Sequence, residues 1–146
     1  MAKVLIVDDE PRVRELMLRQ LEHAGHELYD AEDAQAALDV MTATPCDVIF
    51  CDIQMPGRDG LWLTAELRKL YPMSAVVLAT GVSSVPPKVS MQAGVLAYLV
   101  KPFTRQALLT ALGTAIAWVD NTKVNGPDAN DQGDKLTDWL DELKEL

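Results

Sequence analysis

Residues 3–11 read "KVLIVDDEP", and this stretch decides the architecture. Val4, Leu5, Ile6 and Val7 form an unbroken apolar run that stops at three consecutive carboxylates, Asp8, Asp9 and Glu10. A half-buried strand alternates apolar and polar side chains, whereas an unbroken run is expected of a strand covered by helices on both faces of a parallel sheet. Pro11 suits the first turn of a following helix, and Gly25 suits its end. The opening is therefore a strand, an acidic turn and a helix over about 11–24.

The same unit recurs along the chain. Further strand candidates are "HELYDA" (26–31), "DVIFCD" (47–52), "SAVVLAT" (74–80) and "LAYLV" (96–100). The second helix is predicted over 34–43, with Asp33 as N-cap and a stop before Pro45. The third runs from Gly60 to Leu70, ending before Pro72. A fourth follows "SSVPPKVSMQAG", and a fifth runs from Thr104, its N-cap, to Val119. Five strand–helix units with right-handed crossovers give an α/β fold, an open, doubly wound, five-stranded parallel sheet. In such sheets the crevice lies beyond the carboxyl ends of the strands. That rule gathers Asp8, Asp9, Asp52, Thr80 and Lys101 at one end. His23 and His26 flank Gly25 and are expected to be exposed.

The chain has 146 residues, 49% of them hydrophobic, enough for one domain with its own core and a small appendage. The net charge is -9, which repels nucleic acid. No apolar run reaches the length of a membrane span, and the N-terminus carries no signal-peptide pattern, so a cytoplasmic location is expected. Cys46 and Cys51 read as small buried hydrophobes. Residues 1–119 carry a net charge of -4 and residues 120–146 a net of -5, so the last fifth of the chain is set apart. Residues 120–134, rich in Asp, Asn, Gly and Pro, read as a linker. Residues 135–146, "KLTDWLDELKEL", place Leu136, Trp139, Leu140 and Leu143 at helical spacing and read as a short acidic amphipathic helix: a docking segment, a dimer contact or the start of an output domain.

The acids at the strand ends need an explanation. Two carboxylates about 4 Å apart repel by roughly 4 kcal/mol at an effective dielectric near 20. A hard divalent cation held by oxygens offsets that, and Mg²⁺ is the natural choice where a phosphoryl group supplies further ligands. Lys101 is a point charge suited to phosphoryl oxygens, and Thr80 offers a hydroxyl donor. This set suits transfer of a phosphoryl group onto a carboxylate. Each member alone also has an ordinary structural reading. Asp-Glu-Pro can open a helix, Asp52 can cap a loop, Thr80 can satisfy a backbone group, and Lys101 can be a solvated loop lysine.

Four stretches, "VLIVDDEP", "DVIFCDIQMPGRDG", "VVLATG" and "AGVLAYLVKPF", occur in an order and spacing that resemble the receiver (phospho-acceptor) domain of two-component response regulators, over about residues 1–119. The resemblance implies a flavodoxin-like sheet with Asp52 as phosphoryl acceptor. It implies Asp8 and Asp9 as the Mg²⁺ acid pair, with Asp9 the direct ligand and the backbone carbonyl of Gln54 the third protein ligand. Thr80 matches the switch hydroxyl, Lys101 the phosphate-pairing lysine, and Tyr98 the aromatic whose ring turns inward on activation. The implied role is a signalling switch rather than an enzyme. A sensor histidine kinase or phosphotransfer protein would act upstream, and a downstream protein, an output domain or a second copy would be contacted. The other reading is a pseudo-receiver acting as an interaction scaffold. The sequence departs from the family pattern at Pro86 and Pro87 in the fourth helix, at Val82, and at Ala97, where an Asp is frequent. A dinucleotide-binding protein would want a glycine-rich loop after the first strand, and "DDEPRVRE" has no glycine.

Overall fold

The computed structural model describes residues 1–81 and 95–126, with only the backbone at Thr80. Five strands form one parallel sheet: β1 (Lys3–Val7), β2 (Glu27–Ala31), β3 (Val48–Asp52), β4 (Ala75–Thr80) and β5 (Val95–Val100), in the order β2-β1-β3-β4-β5. Four described helices pack against it: α1 (Pro11–Leu21), α2 (Ala34–Ala43), α3 (Gly60–Leu70) and α4 (Arg105–Asn125). The fourth predicted helix, Val82, Pro86 and Pro87, and the amphipathic segment 135–146 lie outside the described residues.

The apolar runs are buried on both faces, and a side-chain period of two divides them. Leu5, Val7, Ile49, Cys51, Val76 and Leu78 face α2 and α3, where they meet Ala37, Met41, Leu63 and Leu67. Val4, Ile6, Val48, Phe50, Val77 and Ala79 face the other way, onto Met17 and Leu21 of α1 and Leu108, Leu112, Ala115 and Trp118 of α4. Alternation along one strand thus feeds two separate cores.

Helix starts follow the expected chemistry. The Asp33 carboxylate accepts from the Ala36 N–H at 2.8 Å, Asp59 from Trp62 N–H at 2.9 Å and Thr104 from Ala107 N–H at 3.0 Å. α1 has Pro11 in its first turn and no side-chain cap. Asp33→Ala is expected to lower the stability measured by urea denaturation by about 1 kcal/mol, the usual cost of an N-cap. An unchanged midpoint would remove this role.

Two boundaries and one side-chain burial differ from the sequence reading. α1 stops at Leu21, three residues short of Ala24, because the turn through Ala24 tightens, with Ala24 N–H bonded to Leu21 O at 3.0 Å, before Gly25 at φ +85°. α4 runs past the expected Val119 to Asn125, so residues 120–125, assigned to the linker on composition, are helical. The reason is packing. Thr122 continues the buried row begun by Leu108 and Ala115, Lys123 pairs with Asp47 at 3.7 Å, and Gly126 at φ +84° makes the stop. His26 is half-buried rather than exposed, its Nδ1 accepting the Ala2 N–H at 3.0 Å, while His23 is exposed as expected.

Candidate functional site

The strand order reverses between β1 and β3, and there the register brings the acids together. Val7 pairs with Cys51, so the next residues along each strand, Asp8 and Asp52, reach the same level. Asp52 in turn pairs with Ala79, and Thr80 with Val100, which places Thr80 and Lys101 one step beyond at the same carboxyl edge. A crevice at this switch point is where an open α/β sheet binds its ligands.

The acids are out of water. Asp8 is 1% and Asp52 4% exposed, with Asp9 half-buried beside them. One oxygen from each of Asp8, Asp9 and Asp52 lies within 4.8 Å of the others. Lys101 Nζ is 2.6 Å from Asp8 Oδ2 and 3.5 Å from Asp52 Oδ1. Asp8 Oδ1 accepts the Glu10 N–H at 2.9 Å, and Asp52 Oδ1 accepts the Gln54 N–H at 3.3 Å.

One lysine among three acids leaves negative charge uncompensated. Burial pushes the Asp52 carboxyl up to about 6; Lys101 opposes this, Asp8 and Asp9 add to it, and the Gln54 N–H works against it. Burial alone would lower Lys101, yet its hydrogen bond to Asp8 and the charge of Asp52 hold it above its ordinary value. An all-oxygen, acid-rich set that destabilises its own ionised form fits a hard divalent cation such as Mg²⁺.

Two features escaped the sequence reading. Gly60 does more than begin α3. Its N–H bonds to Ile53 O at 2.9 Å, and a Cβ on it would run into the carbonyl of Asp52, 2.8 Å from both Asp52 C and Ile53 Cα. The helix start therefore rests directly on the strand end that carries Asp52. A glycine where any helix former would serve was the available signal. Arg14, on α1, reaches back to donate to the Asp8 carbonyl at 2.6 Å, and nothing in its spacing announces that. Among residues that were anticipated, Tyr98 is buried at 7% exposure in the core with α2 and α3, and the Lys101–Pro102 bond is cis. Cys46 and Cys51 are buried free thiols, and burial raises both, Cys46 to about 11.

A buried carboxylate cluster and a lysine at the switch point of a five-stranded doubly wound sheet define a phosphoryl-handling signalling module. Residues 4–113 match the family model described as the response regulator receiver domain, and the chain belongs to that family. It is 36% identical over 128 residues to the response regulator protein FleR of Pseudomonas aeruginosa, a match covering 86% of this chain and 27% of FleR, so the chain spans about a quarter of that relative. Among solved structures it resembles a response regulator receiver domain protein from Clostridium thermocellum (30% identity, TM-score 0.74, 85% of this chain and 98% of that one). It also resembles NtrX from Brucella abortus (30%, TM-score 0.75, 84% and 29%). The response regulator TrrA from Thermotoga maritima, in complex with Mg²⁺ and BeF, is similar at 32% identity and TM-score 0.72 over 79% of this chain and 99% of that one. This chain is thus a receiver domain of two-component signal transduction, a signalling module of a kind that is generally not a catalytic enzyme. The pseudo-receiver alternative is not favoured, because the acid cluster and Lys101 are assembled in one place. Among the described residues no helix is long and apolar enough to cross a membrane.

Proposed function

We propose that Asp52 accepts a phosphoryl group from a histidine kinase or phosphotransfer protein, and that this modification switches the chain's protein contacts. The observation that carries the reading is the buried Asp8–Asp9–Asp52 cluster with Lys101 inside it. A carboxylate oxygen of Asp52 attacks phosphorus and forms the new P–O bond. The bond from phosphorus to the donor histidine nitrogen breaks, and its electron pair stays on the imidazole. The product is an aspartyl phosphate, formed and lost with this chain supplying the catalytic groups.

Asp9, Asp8, Asp52 and the Gln54 carbonyl would hold Mg²⁺, which when bound supplies positive charge for the transferring oxygens. TrrA, solved with Mg²⁺ and BeF, supports that assignment. Lys101 sits within reach of Asp52 and exchanges its Asp8 contact for a phosphoryl oxygen. Thr80 then donates its hydroxyl to the same group, and Tyr98 holds the inward position. These steps bias a two-state equilibrium by a local charge event. The recipient is a downstream protein, an attached output domain or a second copy, in the cytoplasm and without direct nucleic-acid binding. Residues 135–146 serve in this reading as a docking segment or as the start of an output domain.

The test is intact mass after incubation with acetyl phosphate and Mg²⁺. Wild type is expected to gain one phosphoryl adduct that EDTA prevents and that Asp52→Asn lacks. An adduct of equal yield on Asp52→Asn would sink the assignment.

A further inference from the structure

We propose that Arg14 is a positioning residue for the cation-binding acids, holding the Asp8–Asp9 peptide in the orientation the site requires; this rests on the metal assignment above. Each polar group of Asp8 has a partner. Its N–H bonds to Ala31 O at 3.1 Å, Oδ1 accepts from Glu10 N–H at 2.9 Å, Oδ2 meets Lys101 at 2.6 Å, and its carbonyl accepts from Arg14 Nη1 at 2.6 Å. The guanidinium is anchored at its other corner, Nε donating to Asp30 Oδ2 at 3.1 Å. Asp30 immediately precedes Ala31, so the contacts close a ring: Asp8 N–H to Ala31, along the chain to the Asp30 carboxylate, through Arg14, and back to the Asp8 carbonyl.

The ring joins β1, β2 and α1 around one peptide plane. That peptide is rigid, so fixing its carbonyl fixes where Asp9 leaves the strand end. Asp9 is the half-buried acid of the cluster and lies two residues beyond the end of β1 at Val7. An ordinary exposed Arg–Asp pair would contribute little. Here the side chain of Arg14 is only 15% exposed and its shortest bond goes to a backbone carbonyl rather than to the carboxylate. Only a planar guanidinium offers two donors at fixed separation for these two acceptors, so a lysine does not replace it.

Calorimetric titration of the whole chain with Mg²⁺ tests this, on wild type, Asp9→Asn, Arg14→Ala, Arg14→Lys, Asp30→Ala and the double variant Arg14→Ala/Asp30→Ala. Arg14→Ala is expected to weaken Mg²⁺ binding by about 10- to 100-fold, as loss of an outer partner of a metal ligand does. Arg14→Lys should not restore it. Asp30→Ala should weaken it less, and the double variant should be no worse than Arg14→Ala, because Asp30 acts through Arg14. With acetyl phosphate, Asp30→Ala should need more Mg²⁺ yet reach the wild-type limiting rate, a split that general loss of stability would not produce. Should Arg14→Ala fail to fold, Asp30→Ala carries the test, since its carboxylate is half-exposed. Unchanged affinity in a folded Arg14→Ala, or in Asp30→Ala where that is the variant tested, beside a weakened Asp9→Asn, overturns this inference alone. Wild type that does not bind Mg²⁺, or Asp9→Asn that binds like wild type, overturns the metal site and this inference with it.

Discussion

Gly60→Ala is expected to destabilise the protein by at least about 3 kcal/mol, enough to unfold a marginal domain in part, and to abolish phosphorylation of whatever stays folded. The added methyl would occupy the place of the Asp52 carbonyl and would press on backbone, not on a flexible side chain. Relief requires α3 to slide away from β3, and that movement drags Asp52 with it. The Gly60 N–H bond to Ile53 O and the Thr64 hydroxyl bond to Gly60 O at 2.7 Å would be disturbed together. Gly113→Ala is the control. Gly113 sits exposed in α4 with nothing within 4 Å of an added Cβ, so alanine there should stabilise by about 1 kcal/mol through helix propensity. Urea denaturation of both variants decides the matter. If Gly60→Ala unfolds at the wild-type midpoint, the close seating of α3 on the strand end is wrong.

Without metal, the wild-type chain should become more stable on acidification from pH 7 towards pH 4, and Asp52→Asn should largely lose that response. The Asp52 carboxyl titrates near 6 in the fold, above its ordinary 3.8. A raised carboxylate means that the folded state binds the proton more tightly than the unfolded chain does. The cost of the ionised form is therefore fully present above pH 6 and disappears as the pH falls through the interval down to about 4. Two pKa units correspond to roughly 3 kcal/mol, so Asp52→Asn should stabilise the metal-free protein by about 2–3 kcal/mol at pH 7.5 and by little at pH 4. Thermal or urea denaturation in EDTA across that range measures both curves. Parallel curves would show that Asp52 is not the strained acid. Adding Mg²⁺ should narrow the difference at pH 7.5, because binding to the wild-type fold contributes stability that the variant forgoes.

The strands were legible because parallel-sheet burial writes itself as unbroken apolar runs, and β1 and β3 each end in acids that cannot continue such a run. Asp33 and Thr104 announced two helix starts through capping chemistry that is local in sequence. What composition misjudged was the end of α4. "DNTKVN" at 120–125 looks like a linker by residue type, yet Thr122 is buried and Lys123 meets Asp47, a partner far away in the chain. The acid cluster and Lys101 could be assembled from topology and family pattern, since one register fixes their level. Gly60 and Arg14 could not, because their roles depend on interatomic separations across the strand–helix seam that no periodicity encodes.

α4 begins at Arg105, four residues after Lys101, and runs without interruption for 21 residues to Asn125 at the opposite end of the sheet. At 1.5 Å per residue it is a rod of about 30 Å. Such a rod, seated on β4 and β5, starts beside the acid cluster and is stiff along its whole length. A tilt of about five degrees at the first turn of such a rod would displace its far tip by roughly 2.5 Å. One uninterrupted helix therefore spans the domain from beside the lysine that meets Asp52 to the opposite pole of the sheet, where Lys123 pairs with Asp47.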